Sequence, residues 1–210
     1  MINQESIDKF RLELPVFEKN IRAFEAGEID RNTLKGITGG FGSYAQKEGG
    51  YMLRLRLPGG RVSKDTLKFI VDKIKEHQID LLKLTTCQTI QLHNLSADSV
   101  ITLIRDALDF GIFTKGGGGD NPRNVMVSPL SGIEPGEFFD VYPYAKAAGE
   151  YLIDRMPSLH MPRKLKVGFS NSPENEVHAT FRDLGFVARE NGTFSVYCAG
   201  GLGPNPKLGV

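Results

Sequence analysis

Hydrophobic and polar positions alternate most clearly over Tyr51–Gly60. Leu53, Leu55 and Leu57 fall on one side of an extended strand, and Met52, Arg54 and Arg56 on the other. Pro58-Gly59-Gly60 then ends the strand, because proline brings no ladder donor and glycine tolerates positive φ. Ser63 is the expected N-cap of a helix reaching about Gln78, with Leu67, Ile70, Val71 and Ile74 at core spacing. Leu81–Thr85 and Thr89–His93 read as strands joined by a tight connection. Ser96 caps a second helix, with Val100, Leu103, Ile104, Ala107 and Leu108 facing inward. The run Gly116–Gly119 lacks the Lys-Ser/Thr of a phosphate loop and reads as a flexible connector. Arg123–Ser128 is the expected fourth strand.

That order is βαββαβ, so the fold class is α+β: a ferredoxin-like antiparallel sheet with two helices, followed by part of a second α+β domain. Leu53, Leu55, Leu82, Leu84, Ile90 and Leu92 are expected under the helices. Arg54, Arg56, Lys83, Thr85, Thr89, Gln91 and His93 fall on the opposite face. Three strands thus contribute basic or polar residues to one surface, which reads as a binding face for a carboxylate- or phosphate-rich ligand. The face has no aromatic residue on which bases could stack, which argues against RNA.

The flanking segments are plainer. Residues 1–47 read as an arm in which Pro15 opens a helix through Glu25, with Phe17, Ile21 and Phe24 on one face. Residues 48–128 form the ferredoxin-like half domain, and 129–210 part of a second domain. In that second part, Val141, Tyr144, Ala145, Ala148 and Leu152 mark a helix ending near Met156-Pro157. Met161–Ser170 alternates, with Lys164 and Lys166 on one side. Gly185–Glu190 and Thr193–Cys198 form a hairpin about Asn191-Gly192, with a type I′ turn expected. The final residues, PNPKLGV, read as a flexible tail.

Composition narrows the picture. Of 210 residues, 26 are Lys or Arg and 25 Asp or Glu, a net charge of +1. No global field therefore points to nucleic acid or membrane, and any basic patch is local. The two cysteines, Cys87 and Cys198, have no C-x-x-C neighbour, so this chain alone builds no zinc or cluster site. His93, His160 and His178 lack metal-ligand spacing. No apolar run approaches the length of a membrane span and the N-terminus has no apolar signal region, so a cytoplasmic protein is expected.

Five segments in order, YMLRLRLPGG, LTTCQTIQLHN, GDNPRNVMVSPLSGI, MPRKLKVGFSNSPEN and DLGFVA…YCAGGLG, resemble the siroheme-dependent nitrite and sulfite reductases. The resemblance runs from about Gly39 to Val210. It implies six-electron reduction of sulfite to sulfide or nitrite to ammonia, on a siroheme bridged through a cysteine thiolate to a 4Fe–4S cluster. By motif, Arg54, Arg123, Lys164 and Lys166 would form the catalytic ring of cations around the anion. Lys83, Thr85, Gln91 and His93, with Arg56 and Asn124, would bind the cofactor. Lysine at both 164 and 166 looks more like the sulfite reductases. The chain departs from the family at Lys83 and Cys87, where arginines usually pair with siroheme carboxylates. The family's four cluster cysteines also have no counterpart among these residues. The resemblance therefore implies an N-terminal portion, inactive alone, that works with a C-terminal half and an electron donor such as ferredoxin. The alternative is a stand-alone tetrapyrrole- or polyanion-binding module without catalysis.

Overall fold

The computed structural model describes residues 2–210. The chain begins with helix α1, Gln4–Glu25, capped by the Asn3 side chain, which accepts from the Ser6 N–H at 2.7 Å. Pro15 lies inside this helix instead of opening it. The physical reason is burial. Phe10, Leu14, Phe17 and Ile21 recur on one face and are buried in the main core. At roughly 1.5–3 kcal/mol each, their burial outweighs the ~3 kcal/mol cost of an interior proline. Pro15 itself is on the exposed side, where water can satisfy the carbonyl it leaves unpaired. A short helix α2, Arg31–Thr38, follows, capped by Asp30.

The first sheet is antiparallel, in the order β1 (Ser43–Ala45), β2 (Tyr51–Arg56), β4 (Thr89–Leu95), β3 (Leu82–Leu84). Helices α3 (Lys64–Glu76) and α4 (Ala97–Phe110) start at their expected caps, Ser63 and Ser96. The α+β class and the antiparallel sheet with its helices match the sequence reading. The edge beside β2 does not. It is filled by β1, with Ser43 opposite Leu53, and by the Phe113 carbonyl, which accepts from the Arg56 N–H at 2.9 Å. The segment read as the fourth strand contributes only β5, Met126–Val127, and β5 joins the second sheet.

Other expectations also shift. Leu53, Leu55, Ile90 and Leu92 are buried, but Leu84 is 78% exposed and Leu82 is exposed too, because β3 is a short edge strand. On α3 only Ile70 is fully buried; Leu67 and Val71 face outward. All five core residues expected on α4 are buried.

The second sheet runs β5, β6 (Val167–Ser170), β7 (Leu184–Ala188), β8 (Phe194–Cys198), with β5–β6–β7 parallel and β7–β8 antiparallel. Helix α5, Tyr142–Arg155, covers it through Ala145, Ala148 and Leu152, with Val141 at its N-cap buried in the same core. The β7–β8 hairpin is present, but its turn is not type I′. Gly192 has φ +78° and its N–H donates to Arg189, while Asn191 keeps negative φ. That is a three-residue loop with glycine at the left-handed position. The final residues fold back along β8: Cys198 and Val210 exchange two backbone hydrogen bonds, at 2.9 and 3.0 Å, so they are an added pairing segment.

Candidate functional site

The site begins with a row across the first sheet. Register places Arg54 of β2 opposite Gln91 of β4, and Gln91 opposite Lys83 of β3. A second segment is stitched against this row. The Arg123 N–H donates to the Leu165 carbonyl at 2.8 Å, and Pro122 bridges to Leu165 in parallel register. This brings Arg123 beside Lys164 and Lys166, which precede β6. The Lys166 N–H is fixed by the Asp183 carboxylate at 2.7 Å.

Between these segments lies an open cavity of about 310 Å³. Arg54, Arg123, Lys164 and Lys166 line it, together with Thr85, Gln91 and Asn124, and no carboxylate does. Of the residues singled out from sequence, three are elsewhere. Lys83 is exposed on the edge strand. His93 is 9% exposed and reaches the row only through Gln91, whose side-chain amide lies 3.0 Å from its Nε2. Arg56 is 3% exposed and lies beneath the cavity wall.

The glycine run is a wall of the site, not a loose connector. The Gly117 carbonyl accepts from Nη1 of both Arg54 and Arg123, and the Gly119 carbonyl accepts from Arg123 Nη2 at 2.8 Å. The Gly119 N–H donates to the Tyr44 hydroxyl at 2.8 Å. The loop also has no room for side chains: a Cβ on Gly118 would lie 2.3 Å from the Tyr44 oxygen. Tyr44, Thr86 and Gly117 also line the cavity and are not among the ligand-facing groups the sequence suggests, whereas Cys87 lines it at a position where the resemblance puts a cofactor contact. For Tyr44 the available signal was weak, since its strand has three residues and shows no period.

The electrostatics are those of a site short of negative charge. Burial, then the neighbouring Arg123, holds the Arg54 guanidinium below its ordinary value. The same two causes push Arg56 down to about 10. Burial, then Lys83 and Arg54, lowers His93, which favours its neutral form. Hydrogen bonding tells the same story. The Asn94 N–H donates to Gln46 Oε1 at 2.7 Å, which turns the Gln46 amide nitrogen toward His93 Nδ1, 3.2 Å away. Gln91 lies between Arg54 and His93: with its oxygen toward Arg54 it accepts from Arg54 Nε at 3.1 Å, and its amide nitrogen donates to His93 Nε2 at 3.0 Å. The Arg123 Nε is buried without a partner among the described residues.

A cavity with four cations and no carboxylate fits an anion, and the carboxylate-bearing edge of a tetrapyrrole such as siroheme fits the same donor set. The iron–sulfur cluster is a different matter. A 4Fe–4S cluster takes four thiolates, and this chain has two cysteines, Cys87 in the cavity wall and Cys198 exposed on β8. This chain's residues do not hold it by themselves.

Fold and site together define a class: an α+β protein whose ferredoxin-like sheet presents a cation-lined anion pocket. Two family descriptions match its parts. Residues 44–109 match the nitrite/sulfite reductase ferredoxin-like half domain, and residues 118–210 the nitrite and sulphite reductase 4Fe-4S domain. The chain belongs to the nitrite and sulphite reductase family. The family's cofactors are siroheme and a 4Fe–4S cluster. A sulfite reductase [NADPH] hemoprotein beta-component from Nitrobacter winogradskyi is 31% identical over 183 residues, covering 73% of this chain and 31% of the relative. A ferredoxin–nitrite reductase from Leptolyngbya laminosa is 26% identical over 167 residues, covering 77% and 31%. The solved NirA protein of Mycobacterium tuberculosis superposes with a TM-score of 0.73 at 25% identity, over 91% of this chain and 40% of that one. The chain spans about a third of the length of the curated relatives it matches. No helix among the described residues is long and apolar enough to cross a membrane.

Proposed function

We propose that this chain forms the anion- and siroheme-binding part of a reductase that takes sulfite to sulfide, or nitrite to ammonia, by six electrons. The observation that carries the reading is the cavity in which Arg54, Arg123, Lys164 and Lys166 converge with no carboxylate among the lining residues. Bound siroheme supplies the iron that takes the anion and the route by which electrons reach it. The chain's own residues do the rest. Arg54 and Arg123 offer N–H donors to the anion's oxygens and stabilise negative charge as it accumulates. Lys164 and Lys166 carry Nζ protons that can pass to oxygens departing as water. Lys164 is exposed, so a proton it gives up is replaced from solvent. Thr85 and Gln91 would meet cofactor carboxylates, while Asn124, whose amide nitrogen donates to the Leu57, Cys87 and Gln88 carbonyls, would hold the wall behind them; Lys83 and His93 belong to the rim and the supporting row.

Lysine at both 164 and 166 supports sulfite over nitrite as the substrate. These residues hold two cysteines against the four thiolates a cluster takes, so by themselves they do not turn over, and a ferredoxin-like donor supplies the electrons. Two free cysteines suit a reducing compartment, and we place the protein in the cytoplasm. The cysteine count also keeps a second reading in play, a tetrapyrrole- or polyanion-binding module without redox chemistry.

Titration of the purified chain with sulfite, and separately with siroheme, tests the proposal. A saturable sulfite signal and a Soret shift are expected, and Arg54→Ala should weaken the first. Absence of both signals would remove the anion-site reading. Oxidation of reduced methyl viologen by this chain with sulfite would refute its inactivity alone.

A further inference from the structure

We propose that Arg56 is a positioning residue for the anion cavity and not one of its ligands: its guanidinium pins the 115–123 loop so that the Gly117 carbonyl draws Arg54 and Arg123 together. The inference deepens the function proposed above and rests on it for the identity of the anion.

Arg56 points from β2 into the protein, where its Nη1 donates to the carbonyls of Lys115 at 2.9 Å and Pro122 at 3.0 Å. Its Nη2 donates to the carbonyl of Arg123 at 3.0 Å. These acceptors are the two ends of a single loop, Lys115-Gly-Gly-Gly-Gly-Asp-Asn-Pro-Arg123. Four consecutive glycines carry the largest conformational freedom a chain can have, so this loop needs an external clamp to hold one shape. A rigid planar fork supplies several donors in fixed directions, which a lysine ammonium cannot reproduce. The backbone rests directly on that fork: a Cβ on Gly116 would lie 2.5 Å from Arg56 Nη1.

The clamp has a downstream effect. The loop it fixes presents the Gly117 carbonyl to Arg54 and Arg123, and the Gly119 carbonyl to Arg123. Arg56 itself is not among the residues lining the cavity. No carboxylate pairs with it among the described residues, so its charge adds to the field that an anion in the cavity would neutralise.

The test uses the full chain and Arg56→Lys, which keeps the charge and removes the fork. Two readouts need no ligand: hydrogen exchange of the 113–123 peptide, and the NMR signals of the Arg54 and Arg123 Nε–H groups. A third is the sulfite Kd. The expected result is at least tenfold faster loop exchange, shifted or broadened Arg54 and Arg123 signals, and a sulfite Kd at least tenfold weaker. Arg54→Ala should weaken sulfite binding with loop exchange unchanged. Parental exchange, or unmoved arginine signals, in Arg56→Lys would overturn the proposal. If the parental chain binds no sulfite, the anion reading fails, while the exchange and arginine signals still decide the role of Arg56. Should Arg56→Lys not fold, Gly116→Ala lifts the loop off an intact Arg56 and is expected to give the same three changes; parental values for that variant would also overturn it.

Discussion

Arg54 and Arg123 donate to one acceptor, the carbonyl oxygen of Gly117. Two like charges are thereby held side by side with a single dipole between them. Burial, and then the Arg123 charge, keeps Arg54 below its ordinary value, so charging this residue weakens the fold. Arg54→Met should lower sulfite affinity by about 10- to 100-fold, the worth of one charged hydrogen bond at roughly 1.5–3 kcal/mol. The same change should leave Tm unchanged or raise it. Calorimetric titration and a thermal melt on one preparation check both; a lower Tm with an unaltered Kd would contradict the argument.

Gly118 has no room for a methyl group. Its Cβ would lie 2.3 Å from the Tyr44 oxygen and 2.4 Å from the Gly39 carbonyl oxygen. Gly118→Ala should destabilise the chain by about 1–3 kcal/mol, the usual range for overpacking. Adding Tyr44→Phe should give little relief, because the backbone oxygen of Gly39 cannot move aside. Full recovery of Tm in the double variant would show that the tyrosine alone sets the constraint.

His93 predicts a pH effect of definite sign. Burial, Lys83 and Arg54 lower its folded value, so the unfolded chain binds the proton more readily. Its stabilising contribution is complete above the unfolded value of about 6.5 and is lost as the pH falls through the lower folded value. Denaturant melts from pH 8 to pH 5 should show that loss, and His93→Gln should flatten it. An identical slope in the variant would assign the acid sensitivity to other groups.

The Tyr51 hydroxyl donates to Glu25 at 2.6 Å and ties the end of α1 to β2. Burial, followed by that bond, raises the Tyr51 value. Tyr51→Phe should cost about 1 kcal/mol, the net worth of a typical hydrogen bond. Equilibrium urea unfolding would measure it, and no change in midpoint would mean water replaces the bond without loss.

What the sequence revealed follows from what periodicity can encode. The strand β2, the caps Ser63 and Ser96, and the apolar face of α4 all survive in the structure, although β2 is buried on both faces except at Arg54. The long α1 was hidden by Pro15, because local rules end a helix there and only tertiary burial carries it through. β1 was hidden by its length. Within the candidate site, charged side chains could be named in advance, but the Gly117 carbonyl could not. A backbone acceptor leaves no trace in residue type. For the same reason the even alternation of Arg54 and Arg56 placed both on the open face, whereas the Lys115–Arg123 loop covers the second and leaves the first at the cavity.

The cavity's walls come from both sheets: Arg54 and Gln91 from the first, Lys164 and Lys166 from the strand-entry segment of the second. An anion seated there acts as a rivet. It binds only when the two layers are in register, so its binding free energy is added to their association. Saturating anion should therefore sharpen unfolding into a single transition, and its removal should let the two layers melt at different temperatures.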